Sequence, residues 1–255
     1  MGIPMDGSLL WSDTDFYSPG QDPRRPEWVA HAYRQFAANL LAPAGYPCHF
    51  GVQAQRLGNH WFTAIDTSAA EPVSAALAGT LLNYLKRAQV GSKRQSLVVF
   101  VGPPWAESDF DGDLACFWDV LSGLRDVDPA AWPADVPQDP RDPEWRWCFA
   151  GEPWFVFAAS PNNRARRSRN LGDCLTFVFQ TMRVFDGLIG ATEPWHAAKQ
   201  LIRARIDKYD TVPLHPHLSD TFTTPAYRWR YAVLPDDQSV LDPAACPYDP
   251  ERRSG

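Results

Sequence analysis

Residues 145–172 read WRWCFAGEPWFVFAASPNNRARRSRNLG, and this stretch decides the fold because it joins a strand, a turn and a charge cluster. Residues 153–159 form a short apolar run between turn residues, which predicts a buried strand. Residues 160–163, Ser-Pro-Asn-Asn, predict a turn. Four basic side chains follow within six residues: Arg164, Arg166, Arg167 and Arg169. The pattern predicts an anion-binding edge, and the alternative is the solvated start of a basic helix.

Composition limits the functions that this chain can have. Its 255 residues suffice for one large domain or two small ones. A formal net charge of −6 argues against general nucleic-acid binding, so the Arg cluster indicates a small anionic group rather than a polyanion. The 11 Trp residues predict a thick aromatic core or a large apolar cavity, and the 24 Pro residues predict long ordered loops.

Cysteine use and hydropathy indicate the compartment. Five widely spread cysteines form no CxxC pair, which disfavours a zinc site made of Cys alone: Cys48, Cys116, Cys148, Cys174 and Cys246. Residues 1–10 lack the basic region and apolar run of a signal peptide, and no apolar run approaches ~18 residues. We expect a cytoplasmic protein with free thiols, no membrane contact and no nucleic-acid partner.

Helix and strand patterns alternate along the chain and predict an α+β (mixed α/β) fold. We expect a single domain, a mixed β-sheet flanked by helices, over residues 26–234. Residues 1–25 predict an irregular N-terminal arm and residues 235–255 a polar C-terminal tail. The predicted elements are a helix opening at Pro26, a hairpin of strands 48–52 and 60–66 around Gly58-Asn59, a helix opening at Glu71-Pro72, a strand at 96–101, a helix near 114–124, an ordered loop at 126–143, a strand at 174–180 and a helix at 195–208.

Two residues are candidates for metal binding. Cys48 precedes His49, so its thiolate could bind a metal or act as a nucleophile; the alternative is a small buried apolar side chain. His60 could bind a metal or haem, or it could pack at a hairpin end beside Trp61. His215 and His217 are separated by a proline and are poorly placed to converge on one metal.

Glu152 is the candidate for substrate recognition. It lies between Gly151 and Pro153 among aromatic residues, where a carboxylate is costly to bury without a partner. It could grip a cationic substrate through two hydrogen bonds. Alternatively, it could form an internal salt bridge with the Arg cluster at 164–169.

Eight sequence blocks, in order and spacing over residues 26–234, resemble the YqcI/YcgG family. The Gly-Glu-Pro and Arg-Arg-Ser-Arg blocks are specific in combination. In the family, the turn before the Arg cluster often carries His where this chain has Asn163. The blocks are residues 46–51, 96–101, 116–121, 132–137, 147–157, 166–172, 176–180 and 202–210.

The resemblance implies a function that composition does not. Members with an assigned role resemble haem-dependent oxygenases that N-hydroxylate guanidino groups, of arginine or of cyclic guanidines, in natural-product pathways. It therefore implies a monooxygenase that uses b-type haem (heme b), an electron donor and a small guanidino or amino substrate.

Haem needs an aromatic slot, an axial ligand and cations for its propionates, and the chain offers candidates for each. Cys48 is the first choice of ligand and His60 the second, with Glu152 gripping the substrate. Trp154 and the four Arg residues, Arg164, Arg166, Arg167 and Arg169, are the predicted haem contacts. Two alternatives stay open: a non-catalytic haem or small-anion binding protein, and a cofactor-free thiol enzyme that uses Cys48.

Overall fold

The computed structural model describes residues 9–18, 22–67, 73–102, 108–142, 144–186, 193–218, 232–241 and 248. Its strands are β1 (Trp11–Ser12), β2 (His60–Asp66), β3 (Ser96–Gly102), β4 (Trp147–Phe149), β5 (Glu152–Ala159) and β6 (Leu175–Thr181). Its helices are α1 (Glu27–Leu40), α2 (His49–Arg56), α3 (Val73–Val90), α4 (Phe110–Asp126) and α5 (Glu193–Tyr209). Four short 3-10 helices lie at Asp13–Phe16, Arg167–Arg169, Met182–Phe185 and Pro216–Leu218.

The six strands form one mixed sheet in the order β1-β2-β3-β6-β5-β4. Only β2 and β3 pair in parallel, joined through α3, while the other neighbours are antiparallel. This arrangement confirms the predicted α+β class with a mixed sheet. The described helices are each too short or too polar to span the hydrocarbon core of a membrane.

The predicted hairpin before β2 is wrong, because residues 49–56 form helix α2. Gly58 has φ +63°, and its N–H donates to Gln55 O. The next N–H, of Asn59, donates to Ala54 O at 2.9 Å. These two bonds are a Schellman cap, in which glycine takes the left-handed conformation that ends a helix. The Gly-Asn signal therefore marks a helix end and not a hairpin turn.

The sheet divides the core into two layers. Side chains alternate along each strand, so Val98 and Phe157 lie on the face that α1 and α2 cover. Val99 and Val156 lie on the opposite face, which α3 and α4 cover. Strand β5 follows this alternation, so it is not the uniformly buried run that its composition predicts.

Two segments outside the sheet are ordered. The loop after α4 is ordered, as predicted. Trp132 stacks on Trp145 with ring centroids 6.5 Å apart, and Asp128 accepts the N–H groups of Ala130 and Ala150. The N-terminal arm, predicted to be irregular, instead contributes β1, which pairs with β2.

Trp154 illustrates how the α3/α4 layer is held. Its side chain is fully buried, its Nε1 donates to Phe149 O at 2.9 Å, and its ring lies 5.9 Å from that of Tyr84 and 6.4 Å from that of Phe179. It lies inside this layer, so its position favours a structural role over the predicted haem contact.

We expect Trp154→Ala to lower the free energy of unfolding by about 3–5 kcal/mol, because the removed ring leaves a cavity. Urea denaturation monitored by far-UV circular dichroism measures this change. Leu57→Ala, at a side chain that is 64% exposed, is the control and should stay within about 0.5 kcal/mol of the parent. Equal unfolding midpoints for the two variants would contradict the assignment of Trp154 to the core.

Candidate functional site

A half-exposed aromatic surface lies on the α1/α2 side of the sheet. We name as the α2 face Cys48, His49 and Phe50 at the start of α2 together with Phe155 and Phe157 of β5. Cys48 and Phe157 pack against the same core cluster, and Phe155, on the same side of β5 as Phe157, also packs against the α3/α4 layer. All five side chains are partly exposed. The rings of Phe155 and Phe157 lie 6.1 Å apart on one side of their strand. Such a surface suits a planar apolar ligand.

Three basic side chains surround the α2 face. The guanidinium of Arg169 lies 5.2 Å from the ring centre of Phe157, and that of Arg94 lies 4.4 Å from that of Phe50. Arg205 of α5 is close enough to lower the pKa of His49. Aromatic rings with guanidinium groups beside them favour a ligand that is both planar and anionic.

His49 carries an unsatisfied ring nitrogen. Its Nδ1 is buried and has no hydrogen-bond partner. Burial lowers the pKa of His49, and Arg205 and Arg94 lower it further, so the imidazole is neutral near pH 7. A neutral imidazole with a nitrogen free is the form that binds metal ions.

Cys48 is the N-cap residue of α2, and its thiol is protonated. Burial raises the pKa of Cys48, and this effect outweighs Arg205 and the amides of Phe50 and Gly51, which face the sulfur without forming a short cap hydrogen bond. A protonated thiol is a weak nucleophile and a poor metal ligand. The thiol-enzyme alternative and metal binding by Cys48 stay predictions.

His60 is sealed beneath α2. It is 3% exposed, its ring packs edge-on against Phe36 at 5.6 Å, and its Nε2 lies 3.2 Å from Gly51 O. Burial lowers the pKa of His60 to about 4, so the ring is neutral. Its ring packs against Phe36, and neither the predicted hairpin end nor packing beside Trp61 is found.

Arg166 does not form an anion site. It is 0% exposed, and its guanidinium donates to four main-chain carbonyls, engaging four of its five N–H groups. These bonds tie the chain to its own C-terminal segment, so they favour a structural role for Arg166 over the predicted contact with a cofactor anion. The acceptors are the carbonyls of Pro213, Pro235, Asp236 and Asp237.

The Asp236 carboxylate binds the turn that contains Arg166. Its carboxylate accepts the backbone N–H groups of Arg164, Ala165 and Arg166 and the side-chain amide of Asn163. Burial would raise the pKa of Asp236, but these hydrogen bonds outweigh it and lower the pKa. Asn163 is thus a structural residue, and residue 236 of the predicted loose tail is anchored.

The other three Arg residues of the cluster have different environments. Arg164 and Arg167 are exposed, and Arg167 lies over the ring of Tyr209 at 4.5 Å. Arg169 is buried, and burial lowers its pKa to about 10. Of the four, Arg169 alone contacts the α2 face. The cluster is therefore neither a single anion site nor a solvated helix start.

Glu152 lies apart from these residues. It is the first residue of β5 and points to the α3/α4 side, opposite the α2 face. Seven residues of extended strand, roughly 23 Å, separate it from Ala159 at the other end. The predicted salt bridge between Glu152 and the Arg cluster is therefore wrong, and its contact with a substrate stays a prediction.

The other histidine pair holds the C-terminal segment. The rings of His215 and His217 lie 4.9 Å apart. His215 Nε2 contacts Ser239 O, and its Nδ1 accepts the His217 N–H. His217 Nε2 accepts the Leu241 N–H at 3.0 Å. Over the described ranges, no three His, Cys, Asp or Glu side chains gather as a metal cluster.

A second concavity lies on the α3/α4 side. It has a volume of about 710 Å³, and its ionisable lining residues are Cys116 and Asp119. Burial, with Asp113 and Asp119, raises the pKa of Cys116 to about 12. The sheet separates this cleft from His49, so the cleft and the α2 face are independent. Its other lining residues are Val73, Ser74, Ser108, Gly112, Ala115 and Val120.

Comparison with known proteins finds a family match over most of the chain. The model of the YqcI/YcgG family matches residues 36–249. "Uncharacterized protein YcgG" of Bacillus subtilis is 32% identical over 88% of each chain, and "Uncharacterized protein YqcI" of the same organism is 33% identical over 80% of each. A Streptomyces lavendulae protein named "Putative N(omega)-hydroxy-L-arginine synthase DcsA" is 30% identical over 87% of this chain and 84% of its own. No solved structure matches significantly.

We expect Arg166→Gln to destabilise the protein by at least about 3 kcal/mol, because each buried carbonyl that loses its donor costs about 1–3 kcal/mol. Chemical denaturation measures the change. Arg164→Gln, at an exposed neighbour in the same turn, is the matched control and should unfold like the parent. If both variants unfold at the parental midpoint, Arg166 does not anchor the C-terminal segment.

We expect Asp236→Asn to flatten the acid limb of the stability curve. Since the folded pKa of Asp236 is lowered, its ionisation stabilises the fold above the ordinary carboxyl value of 3.8, and this stability is lost as the pH falls through the folded value. Unfolding midpoints between about pH 6 and pH 2 measure the effect. The exposed Asp207→Asn serves as control, and a parental pH slope in Asp236→Asn would refute the expectation.

Proposed function

The chain belongs to the YqcI/YcgG family, and on that premise we propose that it hydroxylates a guanidino nitrogen of arginine or a related small molecule. The Streptomyces lavendulae relative is named for the synthesis of N(omega)-hydroxy-L-arginine and aligns over most of both chains. The proposal transfers that class of reaction to this protein. Its net change turns an N–H bond into N–OH, while the second oxygen atom of O₂ is reduced to water by two electrons from an external donor and two protons from solvent.

The observation that carries the proposal is the buried, unpartnered Nδ1 of His49 in the first turn of α2. Heme b is the proposed cofactor, and when bound it would supply the activation of oxygen for this reaction. The residues have the chemical groups that haem binding requires. His49 offers a neutral imidazole, the rings of Phe50 and Phe157 offer apolar surface, and Arg169 offers a cation for a propionate.

This proposal moves the ligand role from Cys48 and His60 to His49. Burial raises the pKa of the Cys48 thiol, and His60 is enclosed by aromatic rings with its Nε2 3.2 Å from Gly51 O, while its Nδ1, like that of His49, is buried and unpartnered. His49 is chosen over His60 because its ring is partly exposed, whereas His60 is 3% exposed. Glu152 receives no role here, because the sheet separates it from His49.

We expect the purified protein to bind hemin with a Soret band and to form a His-type ferrous–CO complex. His49→Ala should weaken binding by more than about 100-fold, since loss of a residue that only orients a metal ligand already costs about 10–100-fold. His196→Ala, at an exposed histidine, is the control. If titration of the parent protein with hemin gives no Soret shift, the haem assignment is contradicted. A thiolate-type spectrum that Cys48→Ser abolishes would return the role to Cys48.

A turnover assay distinguishes an enzyme from a protein that only binds haem. Arginine incubated with the haem-loaded protein, a reductant and O₂, or with peroxide, should gain one oxygen atom by mass spectrometry. Haem binding without any such product would instead support the alternative of a non-catalytic haem protein.

A further inference from the structure

We propose that the exposed cations at the C-terminal end of α5 form the docking surface for an acidic electron-donor protein. We name it the α5 surface, and it consists of Arg164, Arg167, Arg205 and Lys208. The inference rests on the proposed function, since that reaction takes two electrons from an external donor. It gives a role to the two exposed members of the Arg cluster.

The charge of this region is opposite to that of the whole chain. Residues 164–169 and 196–211 contain eight basic side chains and two acidic ones, whereas the chain contains 24 Lys and Arg against 30 Asp and Glu. A positive region on a negatively charged protein attracts and orients a partner whose contact surface is negative.

Tyr209, the last residue of α5, lies among these cations. The guanidinium of Arg167 lies over its ring, 4.5 Å from the ring centre. Arg205 and Lys208 are its neighbours on the same side of the helix, since residues three and four apart share a face. Asp207 faces away, at roughly 200° around the helix from Arg205. The acidic neighbour therefore does not neutralise the α5 surface.

Two sets of hydrogen bonds join the Arg-rich turn to the end of α5. The Thr211 N–H donates to Ala165 O at 3.0 Å. The Asp210 carboxylate accepts the N–H and the hydroxyl of Ser168 at 2.7 Å and 2.8 Å. Arg164 directly precedes Ala165 in this turn. The cations of the turn and of the helix therefore lie beside one another.

The four side chains of the α5 surface are exposed and carry uncompensated charge. Within the described ranges, none of them forms an ion pair with an acidic side chain. Exposed arginines elsewhere are neutralised locally, as Arg24 is by Asp22 and Arg141 by Asp139. Because the four cations are exposed and do not enclose a cavity, they suit the surface of a partner protein.

The α5 surface adjoins the start of α2. The ring of Tyr46 packs edge-on against that of Tyr209, with centroids 5.9 Å apart. Tyr46 lies two residues before Cys48, the N-cap residue of α2. A donor that docks over Tyr209 therefore lies beside the helix turn that contains His49, the proposed haem ligand.

The test uses a double variant that reverses the charge of the α5 surface, Ala204→Glu/Lys208→Glu. Ala204 is exposed and lies one helical turn before Lys208. The matched control is Ala76→Glu/Lys86→Glu, which makes the same charge change at two exposed positions of α3, on the opposite side of the sheet. The probe is an acidic plant-type [2Fe–2S] ferredoxin.

The first readout is binding of ferredoxin to the apoprotein by isothermal titration calorimetry. We expect the affinity of the parent and the control to fall at least tenfold from about 10 mM to about 100 mM salt, because the Debye length falls from about 30 Å to about 10 Å. The test variant should bind at least tenfold more weakly at the lower salt concentration. Arg164→Glu is a second, independent variant and should change affinity in the same direction.

Two binding results would overturn the inference. One is a parent protein that does not bind ferredoxin at the lower salt concentration. The other is equal affinity in the test variant and the control. Phosphatidylglycerol vesicles test the other class of acidic surface: if the parent binds them but not ferredoxin, the α5 surface is a membrane contact and the donor assignment is wrong.

The second readout separates this inference from the proposed function. Ferredoxin with its NADPH-dependent reductase should drive hydroxylation of arginine by the haem-loaded protein, and the test variant should raise the KM for ferredoxin at least tenfold. Product formation driven by peroxide should stay at the parental rate, because peroxide already carries the two electrons that O₂ needs.

The outcomes of the two assays are distinct. If peroxide gives product and ferredoxin does not, the proposed function holds and the inference fails. If neither gives product, the proposed function fails, and the binding of ferredoxin alone decides whether the α5 surface is a docking site.

Discussion

The buried guanidinium of Arg166 is the interaction on which the α2 face depends. A buried charge without partners is strongly destabilising, so its four carbonyl acceptors must be brought together for the fold to form. This bonding fixes the 3-10 turn at residues 167–169, whose Ser168 carbonyl accepts the Tyr46 hydroxyl at 2.8 Å. Tyr46 lies two residues before Cys48, so the hydrogen bonds of Arg166 are linked through this turn to the start of α2.

The sheet gives the protein two independent sides. The α1/α2 side holds partly exposed rings beside cations and the neutral imidazole of His49. The α3/α4 side is a dense aromatic layer with a cleft whose ionisable lining residues are a thiol and a carboxylate. A planar anionic cofactor is compatible with the first side, and this asymmetry is the physical argument for placing the chemistry there.

Strand and helix positions with strong local patterns could be predicted from the sequence. Strand β3 and helix α4 are found where apolar runs and spacing predict them, because burial on one or both faces imposes that pattern. Helix α2 could not be predicted, since eight residues give two turns at most and the Gly-Asn signal suits a helix end as well as a hairpin. The hydrogen bonds of Arg166 could not be predicted either, because its acceptors at residues 235–237 lie about 70 positions away in the sequence.

That separation also sets an order of events during synthesis. Arg166 leaves the ribosome about 70 residues before the carbonyls that it binds. At 5–20 residues per second, this delay is roughly 4–14 s. Through this interval the 3-10 turn lacks its acceptors, while β2 and β3 can already pair. The surface around His49 is therefore completed late, after the sheet that supports it has begun to form.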